Sequence, residues 1–222
     1  MWPSCPKGRF DYDVSYPRGM DNGGPVDVAV TAVAQGYIAS FKEEGDSWYT
    51  TLIRDCDPEF SAYVLTSTNR ISASPYKASS GVYSVLFSKS GETGGAHGYF
   101  GFETVNFFSD GLPVSLRRLF PDPQRSLPRL WSAIFAGFCR DHGTAPHFYG
   151  NHPCGRGVPP LPDPLRNLSS GLDAAGHMLL TSLGLSVIMG PYEGYSFGEG
   201  AQYVDIPRDE LLSMGASPAV WR

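Results

Sequence analysis

Charge is sparse in this chain. Asp, Glu, Lys and Arg make up 18% of its 222 residues, and 17 basic residues face 22 acidic ones, for a formal net charge of −5. A nucleic-acid binder ordinarily shows a basic patch or stripe, and this balance argues against one. An acidic body is steered instead towards basic partners, less so as salt rises. Long apolar runs are also missing, and none approaches the roughly 18–20 residues of a membrane span. Met1-Trp-Pro-Ser-Cys5 lacks the charged and apolar regions of a secretion signal. Several chemical signatures are absent too. There is no glycine-rich phosphate loop ending in Lys-Ser/Thr, no dinucleotide fingerprint and no His-Glu-x-x-His, and there is no Gly-x-Ser-x-Gly elbow. No residue set spells out a reaction, and no cofactor or metal is implied.

Cysteine is scarce as well. Four residues suit two disulfides in any of three pairings. Cys139 and Cys154 bracket a loop of Gly, Pro and His, which leaves Cys5 and Cys56 to pair by elimination. Such bonds place the protein in the periplasm or outside the cell; the competing reading is four buried thiols in a cytosolic protein. Glycine (26), proline (19) and aromatics (13%) are plentiful. They predict many turns and a β-rich body with Tyr and Phe on strands.

Along the chain, Phe10, Tyr12, Val14 and Tyr16 alternate with Asp11, Asp13 and Ser15, which predicts a half-buried strand. Pro25 opens a helix whose stripe is Val26, Val30, Val33, Tyr37 and Phe41, closing at Lys42–Gly45 with Gly45 beyond its end. Short runs at 60–67, 70–74 and 82–88 predict neighbouring antiparallel strands. A strand over 99–108, a Ser109-Asp-Gly111 turn and a helix striped by Leu127, Leu130, Trp131, Ile134 and Phe138 come next. The Pro- and Gly-rich segment 144–170 has no periodicity, so it is either a functional insertion or hides an element. Residues 174–183 fit a short helix or a strand.

The stretch from Gly184 to Pro207 stands apart. Leu185, Val187 and Met189 line one face of a strand, and a glycine-rich loop with Pro191, Tyr192, Tyr195 and Phe197 follows. A strand at 203–206 and a helical turn from Pro207 complete it. Two histidine constellations invite chemistry. Cys139, His142, His147, His152 and Cys154 could hold zinc, but the tight paired spacing of structural sites is absent, and a disulfide would consume the thiolates. His97, in Gly94-Gly95-Ala-His97, could act with Glu92 or Glu103; the simpler reading is a glycine-permitted turn capped by the imidazole. The acids Asp11, Asp13, Glu103, Glu193 and Glu199 are too scattered to define a glycosidase pair.

Two segments carry a family likeness. Gly94-Gly-Ala-His97 with Glu103-Thr-Val-Asn-Phe107, the Ser-Asp-Gly turn and Val114–Phe120 is the first. Gly184-Leu, Pro191-Tyr, Gly198-Glu-Gly and Val204-Asp-Ile-Pro, ending in Glu210-Leu-Leu, is the second. Both resemble the RsiV-type domain, found in the extracytoplasmic part of the RsiV anti-sigma factor and beside the catalytic domain of PdaC-type peptidoglycan deacetylases. The resemblance implies one α+β domain over 1–222, with residues to about 90 as a companion segment and 91–222 bearing the motifs. It also implies an antiparallel β-sheet with two main helices packed on one face. The function implied is non-catalytic binding or sensing outside the cytoplasm, with lysozyme or a cell-wall polymer as partner. The expected contact residues are Pro191, Tyr192, Glu193, Tyr195, Phe197 and Glu199, with Gly94, Gly95 and His97 as motif positions. The chain departs from an anti-sigma factor in having no sigma-binding segment and no membrane span, and its Cys139–Cys154 loop is not expected of the family. The alternative is an enzyme acting on peptidoglycan, or an accessory domain of one.

Overall fold

The structure, a computed structural model, describes residues 9–54, 66–92, 98–143, 153–161, 177–191 and 197–222. The strands form two sheets. In the first, β1 (Arg9–Val14) runs parallel to β2 (Thr66–Ser79), and β2, β3 (Val82–Glu92) and β4 (Tyr99–Phe108) are antiparallel neighbours. Between β1 and β2 in the chain stands α1 (Pro25–Arg54), giving the long connection a parallel pair needs. The second sheet is antiparallel: β5 (Met178–Thr181), β6 (Gly184–Met189) and β7 (Gln202–Pro207). The expected α+β class with mostly antiparallel strands and two main helices holds, and each long helix covers a face of its own sheet. The undecided apolar stretch before Gly184 contains the strand β5.

α1 begins where Asp21 accepts hydrogen bonds from the N–H groups of Val26 (2.8 Å) and Asp27 (3.1 Å). Asp27 folds back to accept from Met20 and Gly23. Its stripe packs as expected: Val26, Val30 and Phe41 are buried against Ile71, Val85, Phe87 and Phe107. Its end is not where the sequence suggests. The helix runs through Gly45 to Arg54. A Cβ at Gly45 would lie 2.8 Å from the Phe10 ring, so the glycine admits β1 close against the helix rather than ending it. That packing outweighs a mid-helix glycine's cost of about 1 kcal/mol.

After the short α2 (Leu116–Leu119), α3 (Pro123–His142) starts with proline in its first turn and ends at the left-handed Gly143. Leu127, Leu130, Trp131, Ile134 and Phe138 are all buried, together with Leu185, Val187, Val204 and Ile206 of the second sheet. α4 (Arg208–Ser213) and a 3-10 turn at Pro218–Trp221 close this core, to which they add Leu211, Val220 and Trp221. Residues 153–161 carry neither helix nor strand. They are fastened to α3 twice: the Cys139–Cys154 disulfide, with Cα atoms 5.6 Å apart, and the Trp131 indole donating to the Pro159 carbonyl at 2.7 Å. Cys5 and Cys56 lie outside the described residues.

The sheets meet at β5. Leu179 and Ile188 pack on Leu86 and Phe102 of the first sheet. Beside them Asn106, only 4% exposed, donates from Nδ2 to the Met178 carbonyl (2.8 Å) and accepts at Oδ1 from the Leu180 N–H (2.9 Å). The Thr104 hydroxyl donates to the same Met178 carbonyl, and the Ser84 hydroxyl donates to Asn106 Oδ1. Side chains of one sheet thereby satisfy the backbone of an edge strand in the other.

Two outcomes follow for stability. Asn106→Ala strands the buried Leu180 N–H and opens space between the sheets, and should cost roughly 2–4 kcal/mol in urea unfolding, with Thr104→Val costing less. Replacing Cys139 and Cys154 by Ser should lower unfolding stability by roughly 3 kcal/mol, and reductant should remove the difference between the native protein and the variant.

Candidate functional site

At one end of the first sheet the strand register builds a site from residues far apart in the chain. On the face opposite α1, Asp13, Arg70, Ser90 and Phe100 form one row across the four strands, and Asp11, Thr68 and Glu92 form the next. Tyr12, Asn69, Gly91 and Tyr99 form the intervening row, on the α1 face. These residues, with Gly98 and with Pro191, Gly200 and Ala201 from the connection between β6 and β7, line an open cleft of about 720 Å³. That is within the usual range for ligand sites.

Gly91 makes the middle row possible. A side chain there would collide with Asn69, Tyr99 and the Thr68 carbonyl. In its absence the Tyr99 hydroxyl reaches across to donate to Asn69 Oδ1. Phe100 meets Phe102 edge-on with centroids 4.9 Å apart, and Phe102 meets Tyr203 of β7 at 6.3 Å, so an aromatic series runs from the cleft onto the second sheet. Tyr12, Tyr99 and Phe100 each remain about two-fifths exposed. Arg70 and Asp13 approach to 3.8 Å, both largely in solvent, a pairing worth little to stability.

A smaller cavity of about 340 Å³ lies on the α1 side, between Tyr37, Phe41 and Glu44 of the helix and Asn69, Lys89 and Tyr99 of the sheet. Lys89 pairs with Glu103 and sits over the Tyr37 ring, 4.5 Å from its centroid. Glu103, weighed above as a partner for His97, is thus held by Lys89. Asn69 and Tyr99 line both cavities.

Of the expected contact residues, Pro191 is buried at the cleft margin, and Glu199 is exposed on a 3-10 turn, Phe197–Glu199. The side chain of Phe197 is outside the described residues, as are Tyr192, Glu193, Tyr195, Gly94, Gly95 and His97. Their described flanks converge: Glu92 and Gly98 from one motif and Pro191 and Gly200 from the other line the same cleft. The zinc reading loses both thiolates to the disulfide, and His142 Nε2 lies 3.2 Å from the Tyr203 carbonyl oxygen. Asn69, Arg70, Tyr99 and Phe100 were not singled out from the sequence; the one available signal was the pair of aspartates alternating with aromatics on β1.

Burial, and after it the charge of Glu44, raises the Tyr99 phenol above its ordinary value. Burial, and then Tyr76, does the same for Tyr203. A raised tyrosine keeps its proton longer folded than unfolded, so stability should fall as pH rises past the unfolded value of about 10. Thermal melts between pH 8 and 11 should show that fall, and Tyr99→Phe should flatten part of it, with the Tyr203 share remaining.

No known family profile matches the sequence, and no curated protein matches it. Solved structures do share its fold. A DUF3298-family member from Bacteroides fragilis superposes with a TM-score of 0.56 at 15% identity, over 87% of this chain and 74% of that one. A DUF3298-family protein from Pseudomonas aeruginosa superposes with a TM-score of 0.50 at 18% identity, over 74% and 69%. The fold of this chain is therefore one it shares with DUF3298-family proteins.

Proposed function

We propose that this chain is a non-catalytic recognition domain working outside the cytoplasm, and that it binds a cell-envelope component, lysozyme first among the candidates. The observation that carries this reading is that the described flanks of the two motif segments meet at one cleft: Glu92 and Gly98, on either side of Gly94–His97, and Pro191 and Gly200, on either side of the aromatic stretch, all line it. Tyr192, Tyr195 and Phe197 are residue types that give large contact area at small side-chain entropy cost. Glu193 and Glu199, on a chain of net charge −5, suit a basic protein. The Cys139–Cys154 disulfide fits an oxidising compartment. No helix among the described residues is long and apolar enough to cross a membrane.

The test is direct binding of hen lysozyme and, separately, of soluble peptidoglycan fragments to the purified protein by calorimetry. Lysozyme should bind at low salt and less tightly at high salt. Tyr192→Ala and Glu199→Lys should each weaken it about tenfold, the loss of roughly 1.4 kcal/mol expected for one good contact. If neither lysozyme nor the fragments bind at low salt, the reading fails.

A further inference from the structure

The smaller cavity, between α1 and the first sheet, draws on one face of that sheet only. Ser67 is the register partner of Phe10, Ile71 is the partner of Lys89, and Asn69 stands with Gly91 and Tyr99 in the row between. Ser67, Asn69 and Ile71 are alternate residues of β2, so all three point towards α1. Ser40 and Glu44 of the helix, hydrogen-bonded to each other at 3.2 Å, stand at the exposed rim.

Two polar side chains inside are sheltered and uncommitted. Ser67 is 2% and Asn69 5% exposed. The Tyr99 hydroxyl occupies Asn69 Oδ1, while neither Asn69 Nδ2 nor the Ser67 hydroxyl hydrogen-bonds to another described residue. A sheltered polar group without a partner is costly, so the pair marks a place where a polar group is received.

Charge and shape narrow the class. Lys89 and Glu44 are the charged residues of the described lining, and Lys89 is paired with Glu103 over the Tyr37 ring. An anion would have to compete with Glu103 and would also meet Glu44; a cation would meet Lys89. A neutral group fits. Asn69 Nδ2 calls for a carbonyl acceptor, and the Ser67 oxygen can accept an N–H beside it. Phe10, Phe41 and Ile71 supply an apolar wall. A carbonyl, an N–H and a small apolar end together describe an acetamido group. The volume of about 340 Å³, at the lower end for ligand sites, leaves room for part of what carries it.

We propose that this cavity receives the acetamido group of a small neutral molecule. The carbonyl accepts from Asn69 Nδ2, the N–H donates to Ser67 Oγ, and the methyl lies among Phe10, Phe41 and Ile71. The carrier enters past Ser40 and Glu44. An N-acetylated amino sugar and an acetylated peptide both offer that group. The site uses neither the aromatic loop nor any charge complementarity with a basic protein, so lysozyme binding, found or not, leaves it untouched.

The experiment follows the Asn69 side-chain amide signals of the isotope-labelled full chain by NMR. The probes are the methyl glycoside of N-acetylglucosamine, N-acetylalanine methylamide and, without an acetamido group, methyl glucoside. At least one acetamido probe should shift those signals saturably and bind about tenfold or more tighter than methyl glucoside. Ser40→Trp, which fills the rim from outside, should weaken that binding about tenfold, and Gln35→Trp, exposed on the same helix but not among the lining residues, less than about twofold. Ser67→Ala should weaken it several-fold without lowering the melting temperature, because its hydroxyl has no described partner to lose. A response to the sugar alone assigns the group to a glycan, and a response to the peptide alone to an acetylated polypeptide; either upholds the proposal. No saturable shift with either acetamido probe, an equal response to methyl glucoside, or binding indifferent to Ser40→Trp would each overturn it.

Discussion

An edge strand laid against the face of another sheet has backbone N–H and C=O groups with no ladder to join. In this protein the Asn106 carboxamide supplies what a neighbouring strand would have. One side chain donates to the Met178 carbonyl and accepts from the Leu180 N–H. Thr104 and Ser84 complete the cluster in a place closed to water. An amide can serve both polarities at once, which a hydroxyl or a carboxylate in that position could do less well. Apolar contact of Leu179 and Ile188 with Leu86 and Phe102 brings the sheets together, and the carboxamide sets their alignment.

That alignment has a functional consequence. The first sheet contributes the floor of the cleft through the ends of its four strands, and the second contributes Pro191, Gly200 and Ala201 from the connection that follows β6. Neither sheet holds the cleft by itself. β6 is buried along most of its length, and α3 backs the same sheet through Phe138, Ile134 and Leu130, so the connection springs from a well-packed base.

Much of the framework was legible in the residues. The stripes of α1 and α3 follow from a 3.6-residue period, and the alternation from Phe10 to Tyr16 has the period of two that marks β1. The β2–β3 hairpin follows from a connection too short to hold a helix, but the break expected near residues 68–69 is absent, and β2 runs from Thr66 to Ser79. The α+β class implied by the family likeness holds, and the fold is shared with DUF3298 structures at only 15–18% identity. Where the local reading failed, a distant residue decided. Gly45 has the composition of a helix end, yet the Phe10 ring fills the space beside it and the helix continues. Asn69, Gly91 and Tyr99 form one row only because the register of three strands sets them abreast, and nothing in the local sequence of any one of them signals the other two.

The amino-acid sequence by itself determined the two amphipathic helices and the acidic balance, because periodicity and net charge are properties of the chain read locally; it allowed three cysteine pairings, and the fold brings Cys139 and Cys154 together. Tertiary structure alone decided that the strands divide into two sheets and that Asn106 joins them. It also decided that Asp13, Asn69, Glu92 and Phe100 share a cleft with the flanks of both motifs. Those facts rest on strand register and sheet packing, which hydrogen-bond residues far apart in the chain and are set by the whole core at once.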